Sequence, residues 1–432
     1  MLKKVIIFAI LSAMMFSSFS LFSTAYEIGN SNYTAEGHYL YDLSHNIIIS
    51  QENTNKSISP SSTAKIMTAC IVLESDISLN QEVQITASML NNVYGRTMSL
   101  KEGDMLTIED LLHATICGGY NDATHILALT IAPTIYKFTE LMNEKAIQLG
   151  MKDTHYTNPT GIESPNMITT INDIAKLVKY VAQSDLFLKI TSTKQYKLSN
   201  QSVCEYKTIT NRSSLLSKYK GISNFNLGSG NSGDCSVVFY KTDNSALISI
   251  VMNAKSTIPS NKNNYAEIYN DSLLSYAINN YKTHTLKTTS DIITSLPVKY
   301  STSSQEINIY LQEDLKVFGP KDIDIENDIS YSININNEEL SAPLKVGDVV
   351  GVLMVFNNGV LIAQAPLIIL ENIDKNTFLY YMDMIKQFVL SKTFIIALII
   401  FITSIIYCRT NKKHQFKKRK RKRKRKTRKK PT

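Results

Sequence analysis

At 432 residues and 44% hydrophobic content, the chain is long enough for two or three domains with cores of their own, and its composition is globular. The formal charge of +9 suggests a nucleic-acid binder until the charges are located: from Arg409 onward there are 16 Lys and Arg and no acid, while the preceding residues carry 30 basic and 37 acidic groups. A chain that is acidic outside its tail has no distributed basic face to neutralise phosphates, which excludes nucleic acid as a partner.

Lys3 and Lys4 precede an apolar run from Val5 to Phe22, and Ser23-Thr24-Ala25 supplies small residues at the usual cleavage spacing. Residues 1–25 therefore read as a secretory signal, with the mature chain starting near Tyr26. Gly37 to Ser50 alternates apolar and polar residues around Asp42-Leu43-Ser44-His45-Asn46, a strand, a turn and a strand. Helical patterns follow. One starts just after Ser59-Pro60-Ser61-Ser62 and runs to Leu73. Ile108 to Ile116 is opened by Thr107 with Asp110 three residues on, a capping arrangement. Asn121 to Ile131 and Phe138 to Leu149 read as helices, as does Ile171 to Ser184, capped by Thr170 with Asp173.

The period then changes. Ser236–Tyr240 and Ala246–Asn253 are β-branched apolar runs joined by a Lys241-to-Ser245 turn, a hairpin, and Tyr265 to Tyr281 looks like a closing helix. From about Thr283 to Glu371 short strands alternate with Asn, Gly and Asp turns, a separate β domain. Residues 372–392 read as a linker. Thr393 to Cys408 is apolar apart from Thr and Ser, and with Phe388-Val389-Leu390 upstream and Lys392 snorkelling it is long enough to span a bilayer. The 16 positive charges behind it resist translocation, so the basic tail, residues 409–432, is expected in the cytoplasm, close to anionic lipid, and the acidic bulk outside. Five cysteines, Cys70, Cys117, Cys204, Cys235 and Cys408, are too sparse for a disulfide framework; they read as buried thiols with room for one bridge.

The sharpest chemical feature is Ser62-Thr63-Ala64-Lys65 at the start of an apolar helix. Three residues make nearly one turn, so Ser62 Oγ and Lys65 Nζ share a face and can share a hydrogen bond. A buried lysine loses proton affinity and can accept the proton of a serine attacking a carbonyl, while the helix N-terminus favours the developing negative charge. The spacing alone is weak, because an N-cap serine with a solvated lysine gives the same letters.

The surroundings add weight. Pro60 to Ala69 resembles the nucleophile helix of the serine D-alanyl-D-alanine carboxypeptidases, the low-molecular-mass penicillin-binding proteins. Gly95 to Asp104, Thr107 to Leu112 and then Asn121-Asp122-Ala123 resemble the approach to that family's second motif. Thr157-Asn158-Pro159-Thr160-Gly161 is similar to its N-P-x-G-L segment, and Ala342 to Asp348 to part of its C-terminal domain. The resemblance covers roughly residues 30 to 390 in order. It implies an α/β fold: a β-lactamase/DD-peptidase-like catalytic domain over residues 26–282, an antiparallel sheet flanked by helices, followed by a small all-β C-terminal domain over 283–371 and one transmembrane helix, core 393–408. It also implies peptidoglycan stem peptide and β-lactams as partners, Ser62 as nucleophile, Lys65 as base, Asn121 as a substrate-positioning group, and no metal or cofactor.

Two motifs depart from the family's pattern. Its S-x-N reads Gly119-Tyr120-Asn121 here, and its K-T-G, counted back from the strand of Cys235 to Tyr240, reads Asn226-Leu227-Gly228, so that Asn226 and Gly228 hold degenerate substrate-binding positions. Lys241-Thr242-Asp243 lies in the turn at the far end of that strand and reads as solvated. Gly228 to Gly233 reads as a mobile loop, with Ser229 and Ser232 as alternative donors. Loss of a cation and a hydroxyl from a carboxylate pocket costs roughly 2–4 kcal/mol, a factor of about 30 to 1000 in efficiency. The expectations are thus a serine carboxypeptidase acting through an acyl-enzyme on Ser62 or, alternatively, a catalytically impaired receptor or scaffold for wall peptide. A β-lactamase would need a base for the deacylating water, which the sequence does not locate.

Overall fold

The computed structural model describes residues 33–200, 207–243, 245–256, 264–302, 306–336 and 339–427; the expected signal segment, Cys204 and the last five tail residues lie outside them. The chain forms two compact units, the first running to Leu286 and taking in Lys316–Tyr331 and Val355–Ala363, the second made of the remainder.

The first unit is built on an antiparallel sheet. Its strands are β1 (Gly37–Asp42), β2 (Ile47–Glu52), β3 (Ile222–Gly230), β4 (Gly233–Lys241) and β5 (Ala246–Ser256), in the order β2-β1-β5-β4-β3, with the short strand Tyr33–Thr34 pairing against the end of β5. The central strands β4 and β5 read as near-continuous apolar runs because both faces of the sheet are covered. Tyr39, Tyr41, Phe225, Val237, Phe239, Ile248 and Ile250 join a large core on one face. Leu40, Ile49, Val238, Leu247 and Val251 join a smaller core on the other. The alternation by residue number is the two-residue period of a strand.

The larger core is filled by α1 (Ala64–Glu74), α2 (Ile108–His113), α3 (Asn121–Ile131), α4 (Ile135–Gln148), α5 (Ile171–Val181) and α6 (Asp185–Ser192), and the smaller one by α7 (Tyr265–Asn280). All nine residues from Ala64 to Val72 are buried, which makes α1 a central helix surrounded on every side. Each fully buried Ile or Met of that helix contributes roughly 1.5–3 kcal/mol by leaving water. The sheet is pinned to α7 by polar groups as well: Asn270 Nδ2 donates to Ser236 Oγ at 2.8 Å and to Ser236 O at 3.0 Å, while Ser249 Oγ donates to Asn270 Oδ1 at 2.5 Å. A buried amide so fully satisfied fixes register at little desolvation cost.

The expected caps are present. Thr107 and Asp110 form a reciprocal capping box, and the Thr170 side chain accepts from Asp173 N at 3.2 Å. Three expectations need correction. The helix expected to run to Ile116 stops being α-helical at His113, and Ala114–Gly118 is a π turn ending in Gly119 with φ +71°. The helix expected to reach Ser184 ends at Val181, because Ser184 caps α6 by accepting from Phe187 N. Gly228 to Gly233 is not a loop: Gly228–Gly230 belong to β3 and Gly230 pairs directly with Gly233, leaving a two-residue turn.

In the second unit, β6 (Thr294–Lys299) runs antiparallel to β7 (Glu306–Leu311) and parallel to β8 (Leu340–Ser341), and Ile309, Tyr310 and Leu311 of β7 pair with Ile369, Ile368 and Leu367 at the end of β9 (Val360–Ile369). Ile307, Ile309 and Leu311 are buried while Glu306 and Asn308 face water, the alternation of a one-sided sheet. Residues 372–392, expected to be a linker, contain α8 (Thr377–Leu390), capped by Asn376 accepting from Leu379 N at 3.1 Å. Its large apolar residues, Phe378, Tyr381, Ile385 and Phe388 among them, are exposed. The final helix α9 (Lys392–Thr427) contains one stretch, Lys392–Lys412, long and apolar enough to cross a membrane.

Candidate active site

Ser62 lies in a single 3₁₀ turn, Ser61–Thr63, that leads directly into α1, and Ser61 takes φ +45° to make the entry. This places Ser62, Lys65, Asn121, Asn226 and Gly228 on the wall of one cavity of about 410 Å³. All five residues singled out in the sequence are therefore gathered in one place.

Lys65 is buried, and its Nζ donates to Thr160 O at 2.6 Å. That carbonyl is aimed by the Asn158-Pro159-Thr160-Gly161 segment: Asn158 Oδ1 accepts from Thr160 N, Thr160 Oγ1 and Gly161 N at 3.2, 3.0 and 2.8 Å. Thr68 Oγ1, one turn along α1 from Lys65, donates to Pro159 O at 2.8 Å and ties the segment to the helix. Burial, and secondarily the positive charge of Arg212, push the Lys65 amine down to about 7. An amine with that affinity is largely able to accept a proton at neutral pH, where an ordinary lysine is not.

Ser62 Oγ accepts from Asn226 Nδ2 at 3.0 Å. The direct bond expected between Ser62 and Lys65 is not made: Lys65 turns to the Thr160 carbonyl and Ser62 to Asn226, because the serine sits in the tighter 3₁₀ turn rather than within α1. Gly228 is required by close approach, since a Cβ there would lie 2.1 Å from Ser62 Oγ. On the opposite wall the π turn delivers Asn121 to the first position of α3, where its backbone N–H donates to Arg96 O and its Nδ2 to Tyr94 O, both at 2.7 Å.

Two further groups on this wall escaped the sequence reading. Arg212 Nη1 donates to Leu227 O at 2.9 Å, and Arg96 Nε donates to Gly118 O at 2.9 Å with its guanidinium stacked 4.7 Å from the Tyr120 ring centroid. Arg212 follows β-strand residues in a loop with no periodic pattern and precedes Asn226 by a stretch that carries no motif, so spacing gave it no prominence. Lys241-Thr242-Asp243 stands apart, in the turn where Thr242 N donates to Ser245 O at 2.8 Å. Cys70, Cys117 and Cys235 are buried free thiols, each pushed up to about 12 by burial. Among the described residues no group of three or more His, Cys, Asp and Glu side chains is placed to hold a metal.

The D-alanyl-D-alanine carboxypeptidase family profile aligns with residues 24–256, and the C-terminal domain of penicillin-binding protein 5 with residues 281–375. The chain is 26% identical over 341 residues to the D-alanyl-D-alanine carboxypeptidase DacF of Bacillus subtilis, covering 78% of this chain and 85% of that one. To DacC of Escherichia coli it is 28% identical over 357 residues, covering 78% and 84%. Among solved structures, penicillin binding protein 5 from Haemophilus influenzae superimposes with a TM-score of 0.58 at 24% identity, over 81% of this chain and 100% of the other, a likeness of fold.

Proposed function

Because the chain belongs to the D-alanyl-D-alanine carboxypeptidase family, we propose that it attacks the D-alanyl-D-alanine end of peptidoglycan stem peptides through an acyl-enzyme on Ser62, with Lys65 as the base, and turns over slowly. The observation that carries this reading is the pairing, in one cavity, of Ser62 with a lysine whose amine is pushed down to about 7. The neutral amine takes the serine proton as Oγ attacks the carbonyl. The tetrahedral oxyanion collapses as Lys65 gives that proton to the departing amine of D-alanine, and water, losing a proton to Lys65 that returns to Ser62 Oγ, then hydrolyses the ester and releases the shortened peptide. Asn226 can donate to Ser62 Oγ but brings no charge, and Gly119 offers no hydroxyl to pass a proton to the leaving amine. These two absences favour a second reading, a receptor that holds wall peptide or a β-lactam without hydrolysing it at a useful rate.

The test is D-alanine release from a D-alanyl-D-alanine peptide. Wild type is expected well below the ordinary enzyme rate of about 1 per second, and Ser62→Ala at zero. The change Asn226→Lys with Leu227→Thr restores the cation and hydroxyl and is expected to raise release by about 30-fold or more. Adding Gly119→Ser should bring little, since position 119 sits at φ +71° and a Cβ there meets Arg212 Nη1 at 3.3 Å. A wild type already turning over at an ordinary rate, or a folded double variant that gains nothing, contradicts the assignment.

The same proposal places residues 1–25 as a cleaved signal, the two domains outside the cell, α9 across the membrane and the basic tail inside. The charge asymmetry around the apolar stretch supports it. Protease added to intact cells is expected to remove the bulk of the chain and spare a small basic membrane fragment; digestion of the tail from outside reverses the topology.

A further inference from the structure

The turn Lys241-Thr242-Asp243, which has no part in the site at Ser62, lines a second cavity of about 790 Å³ at the far end of β4. Five lysines line it with that turn: Lys189, Lys194, Lys218, Lys220 and Lys241. They come from three parts of the chain. Asp185, Leu188, Lys189 and Ser192 share one face of α6, and Lys194 follows the helix end. Lys218 and Lys220 flank Tyr219 between the helical turn Leu215–Lys218 and β3, and Lys241 closes β4.

Gly221 brings the last of these together. It takes φ +91°, a Cβ there would lie 2.3 Å from Lys241 O, and Lys241 N donates to its carbonyl at 3.0 Å. The approach to β3 is thereby held against the end of β4, with Lys220 and Lys241 on adjoining strand ends. Lys218 is matched by Asp271 at 2.6 Å; among the described residues Lys189, Lys194, Lys220 and Lys241 form no salt bridge. The lining acids are Asp185, in the first turn of α6, and Asp243. Positive charge is therefore in surplus here, in a chain with 37 acidic and 30 basic groups before Arg409. Like charges gathered in this way cost stability until a counter-charge arrives.

The lining cations are all lysines, with no arginine among them. Arginine presents a flat fork that matches carboxylate, whereas an ammonium is a compact point charge that serves a tetrahedral phosphate from any side. Phe239 in the floor is buried, and the Tyr219 ring lies 5.2 Å from Lys218 Nζ and edge-on to Tyr240, so a nucleobase finds no bare aromatic face to stack on. The lysines line a concavity, which a chain of phosphates can enter and the plane of a bilayer cannot.

We propose that this cavity binds a phosphate-chain polyanion, a linear polymer of phosphodiester or phosphoanhydride groups, through Lys189, Lys194, Lys220 and Lys241. Ser62 does not line it, so the site tethers the chain to such a polymer whether or not the acyl-enzyme turns over.

The experiment is acetylation footprinting of the full chain in detergent, read by peptide mass, with short-chain inorganic polyphosphate supplied beyond what the basic tail takes up. The four lysines are expected to react roughly 10-fold more slowly once polyphosphate stands about 10-fold above its Kd. Lys101 and Lys152, exposed on the same unit outside the cavity, should react as before. Raising salt from about 50 to about 200 mM should weaken the protecting affinity by about 50-fold, the counter-ion effect of four phosphate contacts on a flexible chain. Lys220 and Lys241 are exposed, so Lys220→Gln with Lys241→Gln does not threaten folding, and it should lower the affinity that protects Lys189 and Lys194 by about 10-fold. Protection that extends equally to Lys101 and Lys152, that is confined to the tail, or that survives unchanged in the double variant overturns the proposal. Equal protection by polyglutamate overturns the choice of phosphate, and protection by phosphatidylglycerol vesicles with none by polyphosphate makes the lysines a lipid-contacting face instead.

Discussion

Ser62→Ala is expected to abolish covalent capture of a β-lactam, with intact mass showing one adduct on the wild-type chain and none on the variant. Ser61 and Ser229 line the same cavity, so the presence of a hydroxyl is not enough to select Ser62. Three features single it out. Lys65, with its depressed proton affinity, follows three residues later. Asn226 Nδ2 already touches its oxygen at 3.0 Å, and Gly228 leaves the space through which a carbonyl approaches. Removing the nucleophile of such a unit costs at least about 10³-fold, which for a covalent adduct means loss of signal. The substitution deletes one oxygen and one hydrogen bond, so the variant should melt within a few degrees of wild type. Peptide mapping that finds the adduct on Ser61 or Ser229, or undiminished labelling of the alanine variant, would sink the assignment.

The pH dependence of acylation is the second large effect. Lys65 must be neutral to accept the serine proton, and its amine is pushed down to about 7 by burial and by Arg212. Below that value the neutral fraction falls tenfold per pH unit, so the acylation rate should climb with pH and flatten above about 7. An ordinary lysine would delay the plateau to above pH 10. Lys65→Met should lower the rate by about 10² to 10⁴ and flatten the profile. Arg212→Gln removes the secondary cause of the depression, so its profile should shift toward higher pH. A rate that is level from pH 5 to 9 in the wild type would show that Lys65 is not the base.

The elements most legible in the sequence were those with local chemical signatures. Thr107 with Asp110 and Thr170 with Asp173 fixed two helix starts to the residue, because a cap is a short-range bond between named groups. The nucleophile helix and the Asn226-Leu227-Gly228 strand were likewise placed correctly, and the cavity gathers Ser62, Lys65, Asn121, Asn226 and Gly228. What escaped depends on contacts distant in sequence or on the absence of a period. The π turn at Ala114–Gly118 has no composition of its own. α8 stands where the expected linker lies, and its large apolar residues are exposed. Arg212 earns its place only because folding sets it between Leu227 O and Gly119. A lone arginine in a serine-rich loop gives no hint of that.

The fit between Gly119 and Arg212 also makes this wall sensitive to a single change. A serine at position 119 would enter a left-handed backbone at a cost of roughly 1–2 kcal/mol and would press on a guanidinium already bonded to Leu227 O. Arg212 is itself held below its ordinary proton affinity by burial and by Arg96, so the wall responds to any charge added beside it. A change at 119 made alone is therefore expected to disturb this wall, in contrast to the paired change at 226 and 227.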